Sequence, residues 1–185
     1  SGFFRLVVIH HTTFFVNSLA HYIGSPRYNA EVSARDNWVV ALLTLGEGYH
    51  SFHHRFPADF RNGIRWFHWD PAKWFIGVLR ALRLASDLRS TPTPQVEQAR
   101  MQAALRVVEP RLTSIPDSVA EEIHRRLDSA RAHLATAFAL WRRYVAERAS
   151  DASSGWRRTR QNARQHLRLC RQHWKQACKT AAAFA

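Results

Sequence analysis

Two prolines in Ser90-Thr91-Pro92-Thr93-Pro94 divide this sequence. Each lacks a backbone N–H and clashes with the preceding turn, so a continuous helix cannot cross the point. The two sides also differ in kind. Residues 1–89 hold most of the aromatic and β-branched side chains, and residues 90–185 are rich in Ala, Arg, Gln and Leu. A chain of 185 residues suffices for one ordinary domain, or for a domain and a tail. The pattern predicts an all-α protein in three parts: a body over 1–89, a linker and short helix over 90–117, and a basic helical tail over 118–185.

The first part opens on Phe3 to Ile23, about the length needed to cross the hydrocarbon core of a bilayer. Arg5, His10, His11, Asn17 and His21 interrupt it. Polar groups at such depth are costly and face a protein interior, and a buried soluble helix with satisfied polar residues is the other reading. Asn17 and His21 are four apart and share a helical face. The first residues carry no signal-peptide pattern and no initiator methionine, so the chain is expected to be a fragment that starts inside a membrane segment. Gly24 to Asn37 reads as a loop. Arg27, Arg35, Arg55, Arg61 and Arg65 place this side in the cytoplasm by the positive-inside rule. Trp38 to Leu45 is too short to span, and a helix there would lie over a site and deliver His50. Trp66, Phe67, Trp69, Trp74 and Phe75 mix with Arg65, His68 and Lys73, a composition suited to headgroups. An interfacial helix is expected over Lys73 to Leu84, with Arg80 and Arg83 snorkelling.

Between these lies Gly46-Glu47-Gly48-Tyr49-His50-Ser51-Phe52-His53-His54-Arg55-Phe56-Pro57. Crowded imidazoles disfavour one another's charge, whereas a metal ion binds the neutral rings and draws their nitrogens together. On a helical turn His50 shares a face with His53 and His54. Spacing alone leaves open a zinc site, a solvent-facing cluster and chance.

The flanks narrow the choice. Gly46 through Asn62 closely resembles the third histidine box of the membrane fatty acyl desaturases, most of all the stearoyl-CoA-type delta-9 branch and its bacterial members. Trp69-Asp70-Pro71-Ala72-Lys73-Trp74 and Asn17-Ser18-Leu19-Ala20-His21 extend the resemblance over roughly the first half of the chain. It implies a membrane-embedded helical bundle with interfacial helices. His21, His50, His53 and His54 would be iron ligands, Asn17 would reach the metal through water, and Phe14 would line a bent acyl tunnel. It also implies two iron ions cycling between Fe2+ and Fe3+, O2 as co-substrate, and a cis double bond at carbons nine and ten of a fatty acyl-CoA or acyl-lipid. The electrons would come from a ferredoxin, rubredoxin or cytochrome b5-like donor. The protein would be integral to the inner (cytoplasmic) membrane, with site and tail on the cytoplasmic side.

Glu47, beside the box, is expected to orient a ligand histidine through its second ring nitrogen. His10 and His11 match no ligand position and are expected to hydrogen-bond within the bundle; His68 is read as structural. The family's two earlier boxes, H-x-x-x-x-H and H-x-x-H-H, have no counterpart upstream of His50. A C-terminal fragment without them is expected to bind iron weakly and desaturate nothing alone. Ser51 stands where an asparagine is usual, and Phe60 where a tyrosine is common. A related histidine-box hydroxylase is the nearest alternative. A basic helical protein that binds nucleic acid or lipid, with a structural histidine cluster, is another.

The tail carries much of the formal net charge of +13. A helix is expected over Thr93 to Val108, ended near Pro110. Ser118-Val119-Ala120-Glu121 reads as a capping box opening the next. Its stripe is Val119, Ile123, Leu127, Ala130, Leu134, Ala137, Trp141 and Val145. Ser150 to Gly155 breaks it, and a last helix carries Ala163, Leu167, Cys170, Trp174 and Ala177. Two such stripes predict an antiparallel hairpin. The last helix holds no Asp or Glu, and its polar face bears Arg157, Arg158, Arg160, Arg164, Arg168, Arg171, Lys175 and Lys179. That face suits water, anionic membrane lipid or an acidic electron donor. No nucleic-acid-binding signature is present, so no nucleic acid partner is expected, and no His-Pro-Gly-Gly haem signature occurs. His124, His133, His166 and His173 read as dispersed and solvent-facing. Cys170 and Cys178 sit about 12 Å apart by helical rise and read as reduced thiols.

Overall fold

The computed structural model describes residues 2–29, 31–113, 115–149 and 155–184. The described residues are mostly helical and contain no strand; the pairings Ser25–Asp36 and Asp36–Tyr49 are isolated bridges. The chain forms two compact units, Ser1–Thr91 and Pro92–Ala185.

In the first unit α1 runs Gly2–Asn17 and buries none of its residues. The Thr12 and Thr13 hydroxyls donate to the carbonyls of Val8 and Ile9, which keeps these polar groups satisfied within the helix. The expected single span Phe3–Ile23 does not form. The Ser18 hydroxyl bonds back to the Phe14 carbonyl, the chain turns, and α2 occupies only Leu19–Tyr22. No helix among the described residues is long and apolar enough to cross a membrane.

The loop after α2 is pinned by backbone pairs. Arg35 N–H donates to Ala20 O at 2.8 Å, and Asp36 N–H to Ser25 O at 2.9 Å. The Asn37 side chain caps α3, Trp38–Leu43, by accepting from the amides of Val39 and Val40. The chain then folds back so tightly on α3 that a Cβ at Gly48 would lie 2.0 Å from the Ala41 nitrogen. Only glycine fits there. Gly46, at φ 108°, makes the turn before it.

Helix α4, His50–Arg55, starts where that return ends. The Asp36 carboxylate accepts from the Ser51 amide at 3.0 Å and the Phe52 amide at 3.3 Å, so a residue fifteen positions upstream closes the helix N-terminus. Phe52 packs edge-on against Tyr28 beneath it, with ring centroids 5.3 Å apart.

Helix α5 is Pro71–Ala81, shifted toward the N-terminus from the expected Lys73–Leu84. Asp70 caps it through the Lys73 amide, and Pro71 takes the first helical position, where its missing N–H costs nothing. The same carboxylate accepts from the amides of Asn62 and Gly63, both at 2.9 Å. Lys73 does not belong to the basic rim. Its ammonium turns inward and donates to the carbonyls of Gly63, Arg65 and His68. Burial pushes its pKa down, and the neighbouring Asp70 charge opposes that. Near the end of the unit, Asp59 holds Arg61 at 2.8 Å and accepts from the Thr91 amide at 2.6 Å.

The second unit is three helices: α6 Thr93–Leu112, α7 Asp117–Ala149 and α8 Gly155–Ala183. Segment 90–117, expected as linker and short helix, thus holds a full helix whose Met101, Leu105 and Val108 join the core. Pro110 lies inside its last turn rather than ending it. Helix α7 begins at Asp117, so Ser118 sits within the first turn and is not its cap. Ile123, Leu127, Ala130, Leu134 and Ala137 are buried as the stripe predicts, but Tyr144 closes the seam while Val145 is exposed. Across it, α8 buries Ala163, Leu167, Cys170 and Ala177. The pairs Tyr144–Trp156 and His133–His166 run in opposite sequence directions, which makes the hairpin antiparallel. Of the expected break at 150–155, residues 150–154 lie outside the described residues and Gly155 is the first residue of α8. Glu97 on α6 is buried and carries both Arg100 and Arg171. Both cysteines are free.

Candidate metal centre

Two short helices bring three imidazoles to one point. His21 comes from α2, His50 is the first residue of α4, and His54 follows one turn later. The His50 Nε2 lies 2.9 Å from the Nε2 of His21 and 3.0 Å from that of His54. One ligand atom from each of the three lies within 4.8 Å of the others, so the cluster can hold a metal ion. His50 is buried, His21 half-buried and His54 exposed, which leaves one side open.

Hydrogen bonding alone cannot satisfy this arrangement. A neutral imidazole nitrogen is either a donor with one proton or an acceptor with one lone pair. The His50 Nε2 faces two other nitrogens and can complete only one good bond. Protonation offers no way out. Burial, then the neighbouring rings of His54, His21 and His53, push the His50 pKa down to about 4. His54 is also lowered, by burial and by His21 and His53. A cation meeting three lone pairs removes the conflict. Metal–nitrogen bonds of about 2.0–2.1 Å at tetrahedral angles put ligand nitrogens roughly 3.3 Å apart, close to the edges seen here.

The partners of the outer ring nitrogens differ. His21 Nδ1 meets the Ser33 hydroxyl at 2.8 Å, which holds the ring with Nε2 toward the cluster. The His50 Nδ1 is buried without a hydrogen-bond partner among the described residues. Glu47, expected to orient a ligand histidine, has another partner. Its carboxylate accepts from the Asn62 side-chain amide at 2.7 Å.

His53 stands beside the cluster, its ring stacked on His50 with centroids 6.2 Å apart and 6.1 Å from that of His54. Asn17 ends α1, four residues before His21, and is exposed. Phe14 is exposed, with the edge of the His10 ring against it. His10 and His11 are exposed on α1. His68 stacks on Tyr49 at 4.5 Å, away from the three. Ser33 and Asp36 are the residues that sequence reasoning missed. Both lie in a loop without periodicity, and only the fold brings them to the histidines.

No family model matches the chain. It is similar to "Acyl-CoA desaturase 1" of Saccharomyces cerevisiae, 46% identical over 102 residues, which is 55% of this chain and 20% of the relative. It is 45% identical over 109 residues to "Probable acyl-CoA desaturase" of Schizosaccharomyces pombe, 59% of this chain and 23% of that one. It is 39% identical over 90 residues to "sn-2 palmitoyl-lipid 9-desaturase" of a Nostoc species, 49% of this chain and 32% of that one. The chain therefore spans between a fifth and a third of the length of these relatives. Over this shared stretch the chain is similar to proteins named as acyl-CoA and acyl-lipid desaturases.

Proposed function

We propose that these residues form part of the iron site of a delta-9 fatty acyl desaturase of the inner (cytoplasmic) membrane, acting on an acyl-CoA or an acyl-lipid. The observation that carries this is the meeting of His21 with His50 and His54, from helices 29 residues apart in sequence. Iron in a nitrogen-rich site supplies, with O2, the oxidising power that amino-acid side chains lack for removing hydrogen from an unactivated methylene. His21, His50 and His54 would hold one ion. His53 and Asn17, the latter through water, would serve the metal pair from the flanks. Ser33 keeps the His21 ring oriented, and Asp36 keeps α4 in register beneath His50 and His54. Helix α1, which buries none of its residues and exposes Phe3, Phe4, Leu6 and Phe14, suits an acyl chain or lipid. Trp66, Phe67 and Phe75, all exposed, suit the headgroup region. A ferredoxin, rubredoxin or cytochrome b5-like protein would supply electrons from the cytoplasmic side.

A second ion needs more ligands. His10, His11 and His68 are not part of the cluster, so this chain alone is expected to bind one ion and to turn over no substrate. The test is a chimera in which residues 1–91 replace the matching stretch of the Saccharomyces relative, assayed for lipid products in cells lacking their own desaturase. Cis-9 alkenes are expected, and His21→Ala, His50→Ala or His54→Ala should abolish them. Alcohols would instead identify a hydroxylase. A well-expressed, iron-loaded chimera without product would refute the proposal.

A further inference from the structure

Helix α8 carries a second pattern besides its buried seam. Arg157, Arg160, Arg164, Arg168, Arg171, Lys175 and Lys179 recur at intervals of three or four, a single stripe about 33 Å long by helical rise. Along its first half the stripe borders a cleft of about 700 Å³, lined by Arg157, Arg160, Arg164 and Arg168 with Gln161 and Gln165 between them. The guanidinium of Arg157 lies over the Trp156 ring at 5.4 Å, and that of Arg160 over Tyr144 at 5.8 Å. Arg157, Arg164 and Arg168 are exposed, and no acidic side chain pairs with them among the described residues. Arg171 differs, being tied to the buried Glu97 at 2.7 Å.

We propose that this stripe is a binding surface for anionic phospholipid headgroups. Guanidinium groups grip phosphate oxygens in pairs, and the glutamine amides add neutral donors between them. A row of charges along a straight helix matches a plane of headgroups, with Trp156 at its end as an amphipathic ring for the interface. The occupant follows from the rest of the chain. This unit is joined through Thr91–Pro92 to one whose α1 buries none of its residues and exposes Phe3, Phe4, Leu6 and Phe14, and a bilayer holding that unit keeps α8 at high effective concentration near its surface. The inference rests on the membrane placement of the first unit proposed above.

The test uses the full chain, purified in detergent and presented to vesicles of pure phosphatidylcholine or of phosphatidylcholine with roughly a third phosphatidylglycerol. Flotation and titration read binding at low and at near-physiological salt. Three exposed arginines near an anionic surface predict a preference for the charged vesicles of about 100-fold, falling as salt rises. R157Q/R164Q/R168Q should lose the preference yet still bind neutral vesicles, while R157K/R164K/R168K should keep most of it. Unchanged far-UV circular dichroism establishes that both variants fold, and Arg164→Glu alone serves if the triple glutamine variant does not. If the wild type ignores neutral vesicles but shows the arginine-dependent preference, the placement of the first unit fails and the headgroup surface stands. A glutamine variant that keeps the preference overturns the inference. So does duplex DNA that displaces the wild type from charged vesicles at equal phosphate, which would assign the stripe to nucleic acid.

Discussion

The two units are built in opposite senses. In the first, charged and polar side chains are buried among the apolar ones: Asp59, Asp70, Lys73 and His50 lie inside along with Tyr28, Val40 and Phe52, and Asp36 closes the start of α4. Its outside is apolar, with Phe3 at 79%, Phe4 at 73% and Trp66 at 84% exposed. The second buries Ile123, Leu127, Leu134 and Leu167 along a seam and faces outward with arginine and lysine. Water explains the second, since burying apolar surface drives its folding. It does not explain the first, whose large exposed apolar surface needs a cover other than water. The first unit therefore depends on carboxylates that tie short helices and loops together, and the second on side-chain volume.

The sharpest way to break this contrast is Asp70→Ala. It strips the cap from α5, leaves the amides of Asn62 and Gly63 without their acceptor, and removes the negative charge that favours the charged form of the buried Lys73. Each buried amide left without an acceptor costs about 1–3 kcal/mol. Chemical denaturation in detergent should show the first unit lost, together with metal binding, while the helical signal of the second persists. The complementary change is Ile123→Ala, at a fully buried position of the seam. A loss of about 2–5 kcal/mol is expected in the second unit alone, read by thermal melting, with metal binding intact.

Smaller changes separate the groups around the histidines. Ser33→Ala removes the partner of His21 Nδ1 and should weaken metal binding about 10-fold, read by anaerobic titration. Glu47→Gln should leave affinity unchanged, because that side chain faces Asn62. Equal losses in both would mean that neither partner orients the ring.

The smallest effect is a pH dependence. In the second unit His133 Nδ1 lies 3.1 Å from His166 Nδ1, and the His173 ring stacks on His133 at 5.4 Å; these histidines are not dispersed as their spacing suggested. Burial, then His166 and His173, push the His133 pKa below its usual 6.5. The unfolded chain then binds the proton more readily, so the second unit keeps its full stability above pH 6.5 and loses some as pH falls through the lower folded value. The melting temperature should decline over that range, and less steeply in His133→Gln. In the first unit the comparable group is Asp59. Burial would raise its pKa, but the bonds from Arg61 and Thr91 outweigh that and hold it below 3.8. Its contribution should be full above pH 3.8 and be lost as the pH falls from there through the lower folded value.

What could be read from the sequence follows the physics of each unit. The seam of α7 and α8 repeats every three or four residues, so Ile123, Leu127, Ala163 and Leu167 declared themselves by spacing. Apolar content over Phe3 to Ile23 measures how much surface is greasy but not where a helix stops, and α1 stops at Asn17. The proline rule also overreached at Pro110, which sits within a turn of the helix end, where one lost bond is tolerated. At the candidate metal centre the histidines drew attention in the sequence because their residue type carries the chemistry. Ser33 and Asp36 were not, since a serine and an aspartate in a loop look alike whether they face a ring, a helix end or solvent.

The central claim is that the imidazoles of His21, His50 and His54 hold one metal ion between them. Anaerobic Fe(II) titration of the purified chain, with X-ray absorption at the iron edge, tests it directly. One ion per chain with three or more nitrogen neighbours is predicted, and His21→Ala should abolish binding as fully as His54→Ala does. Undiminished, nitrogen-coordinated iron in His21→Ala would contradict it.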